Sequence, residues 1–242
     1  MRSGKQPWKN SVPKPYELLI FDWDGTLVDS ISHIVTAVQR ANVRCALPEC
    51  SAEQIKGLIG LGLEEVFRAL HQDSAEAWRF AEFKQQYLAA HHALDTEPSP
   101  LFAEVLANLE RFTEQGYRLA VATGKSRAAL DQQLKTRGLE HYFAITRCAD
   151  ETASKPDPLM LSQILAYCDL DASQALLVGD SSFDLKMAQR AGMDAVGVSY
   201  GAQSALQLSQ YAPRLIIEHF SQLRHWLEAG AKASIGVNEY VE

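Results

Sequence analysis

The sequence contains no long uninterrupted hydrophobic run, although 47% of its 242 residues are hydrophobic. No apolar stretch approaches the about 20 residues that a helix needs to cross a bilayer. Residues 1–14 carry several basic side chains but no apolar segment, so they do not resemble a secretory signal. We therefore expect no membrane partner and a cytoplasmic location.

An excess of positive charge and any paired-cysteine motif are also missing. Lys+Arg 23 against Asp+Glu 30 gives a net charge of −7 at pH 7, which argues against a general nucleic-acid-binding surface. The adjacent pair His91-His92 is unsuited to chelating one ion, because neighbours on a helix point in different directions. Reduced structural cysteines, scattered without a C-x-x-C spacing, are expected at Cys45, Cys50, Cys148 and Cys168.

Neither of the two common glycine-rich nucleotide motifs is complete. Gly124-Lys125-Ser126 resembles the end of a P-loop, but Leu119 stands where the first glycine is required. Gly60-x-Gly62 is followed by Glu65 where a dinucleotide fingerprint needs glycine. We therefore predict a loop around Gly60 and no nucleotide-binding turn.

What the sequence does contain is a pair of carboxylates at a predicted strand end. The apolar run 18–21 predicts a buried strand, and Asp22 and Asp24 follow it before Gly25 interrupts the strand. Carboxylates this close repel each other unless a cation lies between them, and hard oxygen ligands suit Mg²⁺. Taken alone, the pattern fits an ordinary acidic turn equally well.

Three further polar clusters follow predicted apolar strands or precede helices. Thr123 and Gly124 form a turn suited to an anion, just before a helix. Lys155 precedes a proline that begins a helical pattern. Asp180 and Asp184 follow another apolar strand. Each cluster is weak evidence alone, but ligands bind outside the carboxyl ends of parallel strands, so together they indicate one site.

This ordered set resembles the haloacid dehalogenase-like hydrolase superfamily, and within it the phosphatases of the phosphoglycolate phosphatase type. The resemblance extends from residue 21 to residue 198. It implies an α/β fold, a doubly wound parallel sheet with a smaller all-helical cap inserted after the first motif. One departure is Gly124, which stands where many relatives have Asn.

The resemblance also implies roles in catalysis. Asp22 matches the nucleophile, and Asp24 matches the general acid and base. Thr123 matches the hydroxyl that holds the phosphoryl group, and Lys155 matches the cation beside it. Lys125 competes with Lys155 for that role, but a side chain at its position usually points to solvent or caps a strand end, so Lys155 is favoured.

A metal site is implied by the same resemblance. Asp22, Asp180 and the backbone carbonyl of Asp24 are the expected ligands of Mg²⁺, with Asp184 as a supporting carboxylate. Ser30 belongs to the family signature, but it fits the N-cap of the first cap helix equally well. Substrate or phosphate contacts are expected at Gly25, Thr26, Gly60 and Gly124.

Helical spacing predicts an insertion directly after the first acidic strand end. Apolar residues recur with a 3.6-residue period from Ile31 to Val38, and strands alternate with helices beyond Gly116. Such an insertion would act as a lid that chooses the leaving group. Lys56 and Arg68 could meet an anionic leaving group, although solvated surface charge is the expected role of either one. The predicted organisation is a flexible segment at 1–14, a core at 15–30 and 101–230, a helical cap at 31–100 closed by a hinge at 98–100, and a flexible tail at 231–242.

Other functions fit part of this pattern. A signalling receiver domain also gathers carboxylates, a hydroxyl and a lysine, but in a different strand order and without a helical lid. Phosphomutases of the superfamily tend to carry Val where Thr26 stands, and its dehalogenases lack a carboxylate at the position of Asp24. The sequence therefore predicts a Mg²⁺-dependent phosphatase that acts through an aspartyl phosphate on a small phosphorylated metabolite, most simply phosphoglycolate-like. A phosphomutase and a phospho-accepting regulatory domain stay as alternatives.

Overall fold

The computed structural model describes residues 14–72, 77–94 and 99–231. Its centre is a six-stranded sheet in which every neighbouring pair of strands is parallel. The strands are β1 (Leu18–Phe21), β2 (Arg118–Thr123), β3 (Ile145–Cys148), β4 (Ala175–Gly179), β5 (Asp194–Val198) and β6 (Leu215–Ile217). Their order is β3-β2-β1-β4-β5-β6, so β1 is central and lies between β2 and β4.

Helices cover both faces of this sheet, which is why β1 is an unbroken apolar run. Leu19 and Phe21 face one layer of buried side chains, and Leu18 and Ile20 face the other. The first layer includes residues from α5 (Val105–Glu114), α6 (Arg127–Arg137) and α10 (Phe220–Glu228). The second includes residues from α7 (Leu159–Cys168), α8 (Ser182–Ala191) and α9 (Ala205–Ser209).

A helical insertion follows β1 and has its own apolar cluster. Its helices are α1 (Ile31–Arg44), α2 (Ala52–Lys56), α3 (Leu63–Leu70) and α4 (Ala77–Leu94). Val38, Ile55, Phe67 and Phe83 are among the buried residues they share. The two connections lie side by side, because the Asp29 N–H donates to the Pro100 carbonyl at 2.9 Å. The insertion therefore leaves and rejoins the sheet beside the end of β1.

The predicted fold class, a doubly wound parallel sheet with helices, is confirmed. Two helices, α9 and α10, were not predicted, although Phe220, Leu223, Trp226 and Leu227 have helical spacing. The proposed domain boundaries stay a proposal. The segment 1–13, Pro98 and the tail 232–242 lie outside the described residues, so the expectations of flexible ends and of a hinge at Pro98 are not addressed.

Two predicted absences can be compared with the structure. Within the described ranges, none of the helices is both long and apolar enough to cross a membrane. All four cysteines are free and buried, as predicted.

Candidate active site

The polar clusters meet because their strands are neighbours in register. Phe21 of β1 is paired with Val121 of β2 on one side and with Val178 of β4 on the other. Parallel strands end at the same edge of a sheet, so the residues that follow them converge. The Asp22 N–H continues this ladder by donating to the Val178 carbonyl at 2.9 Å. Asp22 is thereby fixed between the ends of β2 and β4.

The Asp22 carboxylate is buried, and its two oxygens differ in their hydrogen bonding. Its Oδ1 accepts the Trp23 N–H at 2.7 Å and lies 2.7 Å from Lys155 Nζ. Its Oδ2 has no hydrogen-bond partner among the described residues. Burial raises the pKa of Asp22 to about 7, with Lys155 lowering it and Asp184 raising it. One oxygen of this carboxylate is therefore oriented by the protein and the other is left for a ligand.

Lys155 is a fully buried ammonium that bridges two carboxylates. Its Nζ lies 2.7 Å from Asp22 Oδ1 and 2.6 Å from Asp184 Oδ1. Burial alone would lower the pKa of Lys155, but the negative charges of Asp184 and Asp22 outweigh it and hold this pKa above its ordinary value. The lysine therefore stays charged at neutral pH.

Three buried carboxylates form a group that could hold a metal ion. Oxygens from Asp22, Asp180 and Asp184 lie within 4.8 Å of one another. Burial, together with Asp22 and Asp184, raises the pKa of Asp180 well above its ordinary value. Asp180 Oδ2 accepts the Ala202 N–H at 2.7 Å, while Oδ1 has no partner among the described residues.

These donors fit Mg²⁺. One ammonium cannot neutralise three carboxylates, and the two unpartnered oxygens, on Asp22 and Asp180, are hard ligands of the kind that Mg²⁺ prefers. Both oxygens of Asp184 already have partners, because Oδ2 accepts the Ser181 hydroxyl at 2.6 Å and Oδ1 contacts Lys155. This fits the supporting role expected for Asp184. The Asp24 side chain lies outside this cluster, and the predicted metal contact of its carbonyl stays a prediction.

Asp24 is held by two groups whose roles the sequence did not indicate. Its Oδ1 accepts the Ser30 hydroxyl at 2.5 Å, and its Oδ2 lies 3.0 Å from Lys125 Nζ. Of the two positions expected for the Lys125 side chain, solvent and a strand-end cap, the first is wrong, since this side chain is only 8% exposed. The Ser30 hydroxyl makes no capping bond to α1. Ser30 donates to Asp24 instead, because this carboxylate is within reach of its hydroxyl. A hydrogen bond to a carboxylate is stronger than one to a neutral acceptor.

A cavity of about 270 Å³ lies between these strand ends and the helical insertion. Asp22, Asp24 and Thr123 line it from the sheet, and Gly60 lines it from the insertion. Gly124 lines it beside Thr123, whose hydroxyl accepts the Lys125 N–H at 3.2 Å. The predicted nucleophile, acid and phosphoryl-holding hydroxyl therefore share one space.

Gly25 and Thr26 do not line this cavity, and their phosphate contacts stay predictions. The Gly25 N–H is engaged by the Val28 carbonyl at 2.8 Å. Gly25 has a positive φ of +78°, and a Cβ there would overlap the Asp180 carboxylate. The glycine is therefore needed for the close approach of Asp180. Thr26 is buried, and its hydroxyl has no hydrogen-bond partner among the described residues.

The loop before α3 lies directly on the loops that end the strands. The Gly62 N–H donates to Ser154 Oγ at 2.8 Å. A Cβ on Gly60 would lie 2.7 Å from Ser181 Oγ, and a Cβ on Gly124 would overlap the Leu61 carbonyl. Ser154 and Ser181 were not predicted, because only the fold brings them under the insertion.

Neither charged residue proposed to meet the leaving group lines the cavity. Arg68 pairs with Glu64 at 2.7 Å on the surface, and Lys56 is exposed at the end of α2. Two other basic residues, Lys84 and His91 of α4, line the cavity instead.

We expect Gly124→Ala to lower kcat/KM for phosphomonoesters by about tenfold, because alanine keeps the backbone amide but displaces the loop at Leu61 from its seat. Gly57→Ala, in the insertion that carries Leu61, is the control, since its Cβ would make only ordinary contacts at 3.4 Å or more. Kinetics and thermal unfolding of both variants check this. Parent-like kinetics for Gly124→Ala would mean that the seating of this loop does not matter for turnover.

The sequence is similar to those of known proteins. Residues 19–198 match the family model described as haloacid dehalogenase-like hydrolase. The chain is 37% identical to "Probable phosphatase IndB" of Dickeya dadantii (strain 3937), over 85% of this chain and 91% of that protein. It is 32% identical to the phosphoglycolate phosphatase of Aliivibrio fischeri (strain ATCC 700601 / ES114), over 86% and 94%.

A solved structure gives the same result at the level of the fold. The crystal structure of a predicted phosphoglycolate phosphatase from Haemophilus somnus 129pt superposes with a TM-score of 0.79 at 27% identity. The match covers 87% of this chain and 97% of that one. The chain belongs to the haloacid dehalogenase-like hydrolase family.

Proposed function

We propose that this protein is a Mg²⁺-dependent phosphatase that hydrolyses a small phosphomonoester through an aspartyl phosphate on Asp22. The observation that carries this proposal is the Asp22 carboxylate, with one oxygen fixed by Lys155 and the other unpartnered, in the wall of a ligand-sized cavity. The names of the relatives support phosphatase activity, and phosphoglycolate is the first substrate to test.

The reaction would begin with attack of the Asp22 carboxylate on phosphorus. Lys155 holds Asp22 Oδ1 at 2.7 Å, and Asp22 lines the cavity. The bond from phosphorus to the leaving oxygen breaks, and Asp24 gives that oxygen its proton. The Thr123 hydroxyl and the Gly124 amide are the candidate donors to the transferring phosphoryl group. Preorganised donors of this kind stabilise charge that develops in the transition state.

The second half of the reaction would reuse Asp24. Its carboxylate takes a proton from water, which attacks the phosphorus of the aspartyl phosphate. Inorganic phosphate leaves and the Asp22 carboxylate is restored. General acid and base catalysis of this type contributes roughly 10²–10⁴-fold.

The metal would be held by Asp22, Asp180 and the Asp24 carbonyl. When bound, Mg²⁺ supplies the positive charge that lets an anionic carboxylate approach an anionic phosphate. Asp184 would support the site without binding the metal, because it orients Lys155 and is itself fixed by Ser181.

Mg²⁺ should stabilise the fold more at pH 8 than at pH 6. The pKa of Asp22 is raised from 3.8 to about 7, so without metal the fold favours its protonated form, and this contribution to stability is lost as pH rises to about 7. A cation must displace that proton at pH 6 but not at pH 8. We expect the Mg²⁺-induced rise in Tm to be larger at pH 8 by about 2–4 °C, or about 1 kcal/mol.

Thermal unfolding with Mg²⁺ or with EDTA measures this effect. Asp180→Asn keeps the shape of a proposed ligand but removes its charge, so it should abolish the rise. The exposed Glu218→Gln is the charge-matched control and should keep it. A rise that is the same at both pH values, or that survives in Asp180→Asn, would contradict this metal site.

A panel of phosphomonoesters assayed with Mg²⁺ tests the function. We expect release of inorganic phosphate in equal amount to the alcohol, with phosphoglycolate among the better substrates. Addition of a sugar bisphosphate should not convert the reaction into isomerisation, which separates a phosphatase from a phosphomutase. Absence of any hydrolysis above the level of Asp22→Asn, including with p-nitrophenyl phosphate, would overturn the proposal.

A further inference from the structure

Both oxygens of the Asp24 carboxylate are occupied by side chains from different parts of the chain. Ser30 donates to Oδ1 at 2.5 Å, and the Lys125 ammonium lies 3.0 Å from Oδ2. The side chains of Lys125 and Asp24 are 8% and 12% exposed. Solvent and salt screen exposed ion pairs and leave them weak, but they screen a shielded pair much less. The pair of Lys125 and Asp24 should therefore hold its two side chains together.

The local backbone aims Lys125 at this position. Its N–H donates to the Thr123 hydroxyl at 3.2 Å, and the next residue, Ser126, caps α6 by accepting the Ala129 N–H. Lys125 is thereby held between a strand end and a helix start. Because β2 is the neighbour of β1 in the sheet, the Lys125 side chain reaches across to the turn that carries Asp24.

Lys125 and Lys155 each contact one of the two carboxylates of the first motif. Lys155 contacts Asp22 and Asp184, whereas Lys125 contacts Asp24. Lys125 also lines the cavity. Without Lys125, the Asp24 carboxylate would keep, among the described residues, only the hydrogen bond from Ser30. The torsion that turns a carboxylate about its stem is broad, so one bond fixes it poorly. A proton donor must be placed accurately, since a misplacement of about 1 Å can cost about 10²-fold.

We propose that Lys125 is a positioning residue that fixes the Asp24 carboxylate for proton transfer to the leaving alcohol. Lys125 keeps its own proton throughout. Asp24 must enter the cycle protonated: it gives that proton to the leaving alcohol and regains one from the water that attacks the aspartyl phosphate. This inference rests on the proposed phosphatase function.

The test uses two esters that share a ring and differ in their need for a proton. Phenyl phosphate has a poor leaving group, and 2,4-dinitrophenyl phosphate has one that departs unaided. The quantity compared is kcat/KM, because it reports the steps up to loss of the alcohol. We expect Lys125→Met to lower kcat/KM for phenyl phosphate by about 10–10²-fold and for dinitrophenyl phosphate by less than about threefold. Lys125→Arg should recover most of the loss.

A double-mutant cycle shows whether Lys125 acts through Asp24. In an Asp24→Asn background, Lys125→Met should cost less than about twofold further on phenyl phosphate. Ser30→Ala removes the other bond to the same carboxylate and should show the same dependence on the ester. The exposed Lys135→Met on α6 is the matched control and should behave like the parent.

Three outcomes would overturn the inference while leaving the phosphatase proposal intact. They are an equal loss on both esters, a full additional loss in the Asp24→Asn background, and no loss on either ester. Should Lys125→Met fail to fold, Lys125→Gln, which keeps a polar side chain but removes the charge, takes its place with the same expected dependence on the ester. Inactivity of the parent on both esters would count against the proposed function itself.

Discussion

Asp22→Asn is expected to abolish turnover while the fold stays intact. The amide fills the same buried space and can still accept the Trp23 N–H, but it is no nucleophile. Loss of a covalent nucleophile removes the whole pathway, so we expect kcat to fall on the order of 10⁴-fold or more. Steady-state kinetics with p-nitrophenyl phosphate and thermal unfolding of the same preparation check both parts.

The matched control for this prediction lies in the same segment. Asp29 is exposed, and Asp29→Asn makes the same chemical change outside the cavity. It should retain parent-like kinetics. Substantial activity in Asp22→Asn, in protein that unfolds like the parent, would rule out covalent catalysis through Asp22.

Lys155→Met is expected to damage both stability and activity. Lys155 is fully buried between Asp22 and Asp184, at 2.7 Å and 2.6 Å. Breaking a buried pair by removing one partner typically costs about 3–5 kcal/mol, because a charge is left without compensation. Urea unfolding at pH 8 measures this loss, and phosphatase assays should show no turnover above the Asp22→Asn background.

The pH dependence and a second substitution identify the cause of that loss. Carboxylates left without their cation take up protons more readily, so the destabilisation should shrink at pH 5. Asp184→Asn combined with Lys155→Met should be less destabilised than Lys155→Met alone, because one buried charge is gone. A loss below about 1 kcal/mol at pH 8, equal to that of the exposed Lys135→Met, would show that this ammonium does not neutralise the cluster.

Residues that follow a buried strand were predictable from the sequence. Strand ends are marked by where the apolar run stops, and parallel pairing then brings Asp22, Thr123 and Asp180 to one edge. The directions of side chains within the loops were not predictable in the same way. Lys125 was expected to point to solvent or to cap a strand end, and Ser30 to belong to the family signature or to cap a helix, and neither expectation named the contact that both make with Asp24. Their contacts depend on how two loops far apart in the sequence are placed.

In the helical insertion, too, the local structure was predictable from the sequence and the contacts with the sheet were not. Its helices follow from 3.6-residue spacing, but its contacts with the sheet do not. The seating of Leu61 on Gly124 requires two backbones to approach closely, and no local pattern indicates such an approach. Arg68 does not line the cavity and pairs with Glu64 one turn earlier on the same helix.

Acid quenching tests most directly whether the phosphoryl group passes through Asp22. Asp24→Asn should form the aspartyl phosphate from an activated ester but lack the base that hydrolyses it. Reaction with 2,4-dinitrophenyl phosphate and Mg²⁺, quenched in acid and mapped by peptide mass spectrometry, should place one phosphoryl group on Asp22. Dinitrophenol release by this variant with no phosphorylated peptide at any quench time, or with the group on another residue, would contradict the account.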